Sequence, residues 1–445
     1  MESTDRYHER KSAIHLLRSG RSPKEVAEQL GRSLAWVYQC RQRFGEQGNW
    51  NDLKDRSRAP RHCPQALSLS VQQAIREARS ELEAEAQQPD QLSYLGPQAI
   101  RNRLKGQGLQ PLPSRASIGR VLSRAGMTHP KQKAKTKRAF PHLHLTQPHQ
   151  LTQVDIVPRY LPADGGCVSC FEAIDVVSRY PTGWPSLTKR SSDAVTFLLQ
   201  VMRELGISQY TQIDNEGCFS GGSTHPGVIG KLVRLLLYVG TQPVFSPFYC
   251  PESNAYVERF HEDYLGQTWD KQELHTLPQV QTSATHFYEL YRQSGHHSAL
   301  EGQTPAEVHW SQPVLCLPED FALPSGKLCL TEGQVHFIHF VEANQTIRIA
   351  NLNWLVSRAK VDQGVWATLE LSPAGAKVRV FDQAPDATER TCLGEHPFPL
   401  QERVFPLRPE FQKSTPVRTS WFSSAVTWLD STFMGRLTHL LSTML

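Results

Sequence analysis

Two short apolar runs, each carrying an aspartate, constrain the fold of this chain more than any other feature. The runs are LTQVDIV, with Asp155, and YTQIDNEG, with Asp214. From about residue 150 to 310, strand-like and helix-like patterns alternate, which is typical of an α/β domain. Loops at the ends of buried strands are where such sheets usually place ligands. We therefore expect both aspartates at strand ends, close to one another.

A helical stretch further along the chain carries a third acid. At 3.6 residues per turn, the run SNAYVERFHEDY places Asn254, Glu258 and His261 on one stripe, beside an apolar stripe. An acid in that position is usually only the solvated edge of an amphipathic helix. Brought together with the two aspartates, Glu258 would complete an oxygen-rich site for Mg²⁺. The apolar stripe consists of Val257, Phe260 and Tyr264.

The first 48 residues have the pattern of three short helices. Ser33 is the predicted N-cap of the third helix, which resembles the recognition helix of a helix-turn-helix domain. An ordinary three-helix bundle would show the same pattern, but the local positive charge favours DNA. The residues expected to face inward are Leu34, Val37 and Phe44, and those expected to contact DNA are Trp36, Gln39 and Arg43.

A second helix-turn-helix unit is predicted at residues 68–128, after a basic linker at 49–67. Its last helix should begin after Ser114 and stop at Gly126. A basic connector at 129–145 follows, and its lysines could bind phosphates. The further residues expected to contact DNA are Arg115, Arg120, Arg124, Lys131, Lys133, Lys135 and Lys137.

The charge distribution supports this assignment of the N-terminal part. The net charge of +5 hides an asymmetry, because residues 1–140 hold 26 Lys and Arg against 13 Asp and Glu. The basic part is the one expected to approach a polyanion. Nine scattered cysteines favour a reducing compartment, and the chain has no apolar run of 18 residues. We expect a cytoplasmic, nucleoid-associated protein without a membrane span.

The C-terminal part shows two further patterns. Residues 316–385 contain alternating strand-like runs joined by polar turns, which predict a small all-β barrel. Residues 386–445 are rich in proline and end in a possible amphipathic tail. That tail could serve a partner, a membrane surface or the protein's own core, and the sequence leaves the choice open.

These motifs resemble those of the DDE transposases and retroviral-type integrases, and more narrowly those of bacterial insertion-sequence transposases with an integrase core. The resemblance covers roughly residues 140–310. It implies an RNase H-like catalytic core at 146–312, with helix-turn-helix units before it and an SH3-like barrel after it. The matching stretches are QPHQLTQVDIV, IDVVSRY, QIDNEGCFSGG, GTQPVFSPFYCPESNAYVERFHEDY and SGHHSALEGQTPAEV.

Carried over by motif, the resemblance makes Asp155, Asp214 and Glu258 the catalytic, metal-binding acids. Asp155 would bridge two Mg²⁺ ions, for which Mn²⁺ may substitute. Water would be the nucleophile that cuts the element's end, and the freed 3′-OH would join that end to target DNA. The implied protein is a transposase that binds terminal inverted repeats and works as a homo-oligomer on double-stranded DNA.

The sequence also departs from the family pattern near the second acid. Asn215 is followed by Glu216 where the family usually has glycine, and Glu216 is therefore a rival ligand. Asn215, Asn254 and His261 would position DNA or a water molecule, although they could be ordinary surface residues. Two alternatives remain open: a catalytically inactive or domesticated helix-turn-helix regulator, and an RNase H-like nuclease that cuts without joining.

Overall fold

The computed structural model describes nine stretches of the chain, which form two compact units, Met1–Ser68 and Leu69–Leu445. Three sets of sequence predictions fall partly or wholly outside these stretches: most of the basic linker, most of the connector with its four lysines, and the C-terminal tail. The described residues are 3–46, 48–55, 66–88, 91–128, 138–161, 166–220, 226–247, 250–294 and 297–412.

The first unit contains the three predicted helices, Ser3–Arg18 (α1), Pro23–Gln29 (α2) and Leu34–Phe44 (α3). The Ser33 hydroxyl accepts a hydrogen bond from the N–H of Trp36, as a helix N-cap does. The buried face of α3 consists of Val37, Cys40 and Phe44. The prediction for Leu34 is wrong, because this residue of the first turn is 43% exposed.

The second unit begins with three helices, Leu69–Glu85 (α4), Pro97–Gly106 (α5) and Arg115–Arg124 (α6). The predicted cap and stop of α6 are confirmed: Ser114 accepts from the N–H of Ser117, and Gly126 has a positive φ of 70°. A left-handed conformation of this kind favours glycine. The three helices pack around Ile75, Ile100 and Ile118, all fully buried.

A mixed sheet of five strands follows. Its strand order is β5-β4-β1-β2-β3, with β2 and β3 in an antiparallel meander with β1, and with β4 and β5 parallel to β1. The strands are Leu151–Tyr160 (β1), Cys167–Asp175 (β2), Pro181–Ser186 (β3), Tyr210–Ile213 (β4) and Gln242–Phe245 (β5).

Helices cover both faces of this sheet, so each face has its own hydrophobic core. On one face α7 and α9 pack around Phe171, Phe197 and Leu235. On the other face α10 and α11 pack through Phe260, Tyr264 and Tyr288. The helices are Ser191–Glu204 (α7), Gly217–Ser220 (α8), Lys231–Tyr238 (α9), Ala255–Gln267 (α10), Leu277–Arg292 (α11) and Pro305–His309 (α12).

The C-terminal strands continue the core sheet, which corrects the expected separate SH3-like barrel. Strand β7 pairs in parallel with β5 through Val244–His336 and Phe245–Phe337, and β10, β11 and β12 follow antiparallel. The outer edge of β5 is thereby covered, which a separate barrel would leave open. These strands are Leu330–Thr331 (β6), Gly333–Phe340 (β7), Thr346–Ile349 (β8), Leu352–Leu355 (β9), Gly364–Ser372 (β10), Gly375–Phe381 (β11), Cys392–Pro397 (β12) and Val404–Phe405 (β13).

In the described stretches, every helix is too short or too polar to cross a membrane.

Candidate active site

Asp155, Asp214 and Glu258 line one cavity of about 450 Å³. The three acids come from parts of the chain far apart in sequence, and each is half-buried. The remaining residues around the cavity are Asn215, Glu216, Ser246, Pro247, Cys250, Ser253 and Asn254.

The strand register places the first two acids side by side. Strands β1 and β4 pair in parallel with Gln153 opposite Gln212, and continuing this register places Asp155 opposite Asp214. Asp214 follows β4 directly, as predicted. Asp155 does not end its strand: it lies in the middle of β1, because the antiparallel pairing with β2 continues to Tyr160. The strand-end prediction is therefore wrong for Asp155.

A buried glutamine, which the sequence analysis missed, ties the helix of Glu258 to β1. The Oε1 atom of Gln153 accepts from the N–H groups of Tyr256 (3.1 Å) and Val257 (3.2 Å), in the first turn of α10. Its Nε2 donates to Gln212 Oε1 (3.1 Å) and to the carbonyl of Ser253 (3.0 Å). The N–H groups in the first turn of α10, which have no acceptor within the helix, are thus satisfied by a side chain of the strand that carries Asp155. A glutamine within an apolar strand was the available signal.

Burial and mutual repulsion control the charge of these acids. Burial raises the pKa of Asp155 to about 7; the N–H of Ile156 opposes this, and the charges of Asp214, Glu216 and Glu258 add to it. Burial also raises the pKa of Asp214, and the charge of Glu216 contributes. Carboxylates held together against such repulsion favour a bound cation.

Glu216 lines the cavity but has its own cation. Its carboxylate forms an ion pair with Lys189, and the thiol of Cys218 contacts its other oxygen at 3.8 Å. The N–H of Glu216 donates to Asp214 Oδ1 at 2.9 Å, which holds the second acid in place. The rival ligand is therefore charge-compensated by Lys189.

Asn215 and Asn254 meet at Ser246, just after β5. Asn215 Nδ2 donates to the carbonyl of Ser246 (2.6 Å), and the Ser246 hydroxyl donates to Asn254 Oδ1 (3.0 Å). Both asparagines line the cavity, and Asn254 is buried. Their side chains brace the cavity wall between β4 and α10, so Asn254 is not an ordinary surface residue.

His261 lies away from the solvent, between two acids. Its Nδ1 is 3.8 Å from Asp155 Oδ2, and its Nε2 is 3.2 Å from Oε2 of Glu172. Burial, together with the charge of Arg159, lowers the pKa of His261 to about 3. Glu172 is fully buried, and sequence reasoning missed it, although an acid inside the apolar run VSCFEAID was a visible signal.

A second cluster of possible metal ligands lies among the described residues. It consists of His149, Asp175 and His309, whose ligand atoms all lie within 4.8 Å of one another. These side chains already make hydrogen bonds. His309 Nε2 is 3.0 Å from the carbonyl of Leu205, and its Nδ1 is 2.9 Å from the Ser178 hydroxyl. Asp175 accepts from that hydroxyl and from the N–H of His149, both at 2.7 Å. The geometry favours a structural clasp between the β2–β3 turn and α12.

Six of the residues expected to contact DNA lie on two helices, and the four lysines of the connector lie outside the described residues. On α3, Gln39 is exposed, while Trp36 and Arg43 are half-buried. The three arginines of α6 are exposed: Arg115, Arg120 and Arg124. The segment before α5 also contacts the helix of Glu258, because the side chain of Gln267 exchanges two hydrogen bonds with the backbone of Ser93 (3.0 and 2.8 Å).

The sheet order and the cavity define the class of protein as an RNase H-like α/β core with an acidic site. Residues 239–305 match the model of the family described as "Integrase core domain". The resemblance to integrases and DDE transposases is thereby confirmed over this segment, which contains Glu258, and the expected integrase-type fold of the core is confirmed with it. Both aspartates lie outside the match.

Three solved retroviral structures are similar to this chain at low identity. The simian T-cell lymphotropic virus intasome in complex with PP2A regulatory subunit B56 gamma is 15% identical, with a TM-score of 0.32, over 69% of this chain and 96% of that one. The HTLV-2 integrase catalytic core with magnesium is 15% identical (TM-score 0.28; 37% and 97% covered). The BIV integrase core is 18% identical (TM-score 0.28; 36% and 93% covered).

Proposed function

We propose that this chain is a DDE transposase that binds the terminal inverted repeats of a mobile element and catalyses 3′-end cleavage and strand transfer. One observation carries the proposal: Asp155, Asp214 and Glu258, chosen from sequence motifs alone, line a single cavity. The integrase-core match over residues 239–305 supports the same reaction class.

The donor set is of the kind that a divalent cation prefers, and the oxygens of the three acids lie further apart than the 4.8 Å within which the ligand atoms of the His149 cluster fall. Its three carboxylates share one cavity, and the raised pKa values of Asp155 and Asp214 reflect burial and repulsion that a cation would relieve. Asp155, Asp214 and Glu258 would bind two Mg²⁺ ions, as in other nucleotidyl-transfer sites. Mn²⁺ would substitute for Mg²⁺. When bound, the ions stabilise charge on the attacking and leaving oxygens of the phosphodiester.

The chain's own side chains fix the geometry of this reaction. Gln153 holds the first turn of α10 against β1, which ties the backbone near Glu258 to the strand that carries Asp155. Asn254 braces the cavity wall, and Lys189 balances the charge of Glu216. Such preorganisation keeps the reacting groups in position when DNA arrives, and so lowers the cost of reaching the transition state.

The two helical units would deliver the DNA ends. Their exposed arginines and lysines can contact phosphates, while Trp36, Gln39 and Arg43 on α3 would reach base edges in the major groove. Two readers in tandem give a longer recognised sequence than either alone. Because a mobile element has two ends and each end needs a subunit, we propose that the protein works as a homo-oligomer on DNA.

The test uses a duplex taken from the inverted repeats that flank the gene of this protein. Asp155→Asn and Glu258→Gln should bind the duplex like the wild type but neither nick nor join it in Mg²⁺ or Mn²⁺. Glu262→Gln is the matched control, because Glu262 lies one turn further along α10, is 69% exposed and pairs only with Arg259 among the described residues. Strand transfer by the Asp155→Asn variant would contradict the proposal. End binding by a wild type that never nicks would favour the inactive regulator instead.

A further inference from the structure

A row of residues crosses the sheet at the level of Asp155. The strand registers pair Asp155 of β1 with Glu172 of β2, and Glu172 with Gly183 of β3. Glu172 is fully buried and has no cation as a salt-bridge partner among the described residues. A carboxyl group in that position is costly to keep unless neighbouring groups hold it.

Two helices supply side chains above this row. Tyr288 of α11 donates its hydroxyl hydrogen to Oε1 of Glu172 at 3.2 Å. Oε2 of Glu172 lies 3.2 Å from Nε2 of His261 without the geometry of a hydrogen bond, and neither atom has a hydrogen-bond partner in the described part of the chain. The ring of His261 therefore bridges from Glu172 to Asp155, whose Oδ2 lies 3.8 Å from Nδ1.

Gly183 makes this arrangement possible. A Cβ atom at position 183 would lie 2.0 Å from the hydroxyl oxygen of Tyr288 and 2.4 Å from its Cζ. Any larger residue there would push the tyrosine away from Glu172. The glycine, the tyrosine and the buried acid thus form one packed unit behind His261.

We infer that Glu172 and His261 are positioning residues that hold the carboxylate of Asp155 in one orientation for metal binding. The inference rests on the proposed function. Each oxygen of Asp155 has a separate contact: Oδ1 accepts from the N–H of Ile156 at 2.8 Å, and Oδ2 faces His261. The hydrogen bond on Oδ1 and the packed imidazole ring beside Oδ2 together restrict rotation of the carboxylate. Outer partners of this kind typically change metal affinity by about 10–100-fold.

The experiment measures Mn²⁺ binding to the full-length protein by electron paramagnetic resonance. Glu172→Leu and His261→Ala should each lower the affinity about tenfold, whereas the isosteric Glu172→Gln, whose amide can still reach His261, should stay within about threefold. The double variant Glu172→Leu/His261→Ala should lose no more than either single one, because both act through the same ring. Additive losses would overturn the inference.

A control separates this role from a general loss of packing. His336 is equally buried and hydrogen-bonded to Thr368 and Gln242, so His336→Ala should lower the melting temperature without changing Mn²⁺ affinity. Asp155→Asn should abolish the site. If Asp155→Asn loses Mn²⁺ but Glu172→Leu and His261→Ala bind it normally, the inference alone fails. If Asp155→Asn binds Mn²⁺ like the wild type, the metal assignment fails and the inference fails with it.

Discussion

Replacing Asp155 by asparagine should stabilise the metal-free protein at alkaline pH, and this gain should vanish in acid. Burial raises the pKa of Asp155 to about 7 in the folded chain, against about 3.9 in an unfolded one. The folded state therefore binds this proton more tightly than the unfolded state. Below about pH 4 the aspartate does not lower the free energy of unfolding. The loss of stability grows as the pH rises to about 7 and then stays constant.

The size of the effect follows from the pKa difference. About three units at 1.36 kcal/mol each give roughly 4 kcal/mol at pH 8 as an upper limit. The Asp155 side chain is 22% exposed, so water moderates the penalty. We expect Asp155→Asn to gain about 2–4 kcal/mol over wild type at pH 8 in EDTA.

Hydrogen exchange of peptides from β1 and β4, followed by mass spectrometry between pH 5 and 8.5, measures this difference within the core itself. Asp193→Asn provides a control of opposite sign. Burial raises the pKa of Asp193, but hydrogen bonds from Thr188 and from the N–H of Arg190 together outweigh this effect and lower the pKa, so that variant should be less stable at pH 8. A pH-independent difference between wild type and Asp155→Asn would refute the reasoning. Saturating Mg²⁺ should reverse the order, because only the wild type gains binding energy.

Three further outcomes are expected. Gly183→Ala should cost about 1–3 kcal/mol in urea unfolding, because its methyl group would collide with the hydroxyl of Tyr288; an unchanged midpoint would contradict this. Ser178→Ala should cost about 1–3 kcal/mol in the same assay, since it leaves buried partners in the clasp unsatisfied. Reversing the charge of Arg120 and Arg124 should weaken binding of end DNA and flatten its salt dependence in fluorescence anisotropy, whereas unaltered binding would make the second unit a plain helical bundle.

Local patterns in the sequence predicted much of the core. The apolar run LTQVDIV lies entirely within β1, and the predicted cap of α6 at Ser114 is confirmed. Leu34 was predicted to be buried but is exposed. Hydrophobic periodicity indicates which residues lie on the same face of a helix, but it does not indicate how much of that face the neighbouring elements cover.

Long-range pairing was beyond the sequence. No local signal says that β5 pairs with β7, or that Glu172 lies opposite Asp155, because strand register depends on residues far apart in the chain. The run TIRIANLNWLV belongs to the strand-like runs of residues 316–385, and it forms two strands, not one. It folds back on itself, since Ala350 and Asn351 both adopt positive φ angles and form a hairpin turn. Glu258 could be identified as the third acid only because it lies within a stretch that resembles a known family motif.

The parallel pairing of β5 with β7 also has a consequence for synthesis of the protein. The edge of β5 is complete only when residues near His336 have left the ribosome, about 90 residues after Phe245. At roughly 5–20 residues per second, this leaves an open strand edge for about 5–20 seconds in each nascent chain. During that interval the half-built sheet is a template for other strands. Pairing of this edge with another strand would therefore compete with the native pairing to β7.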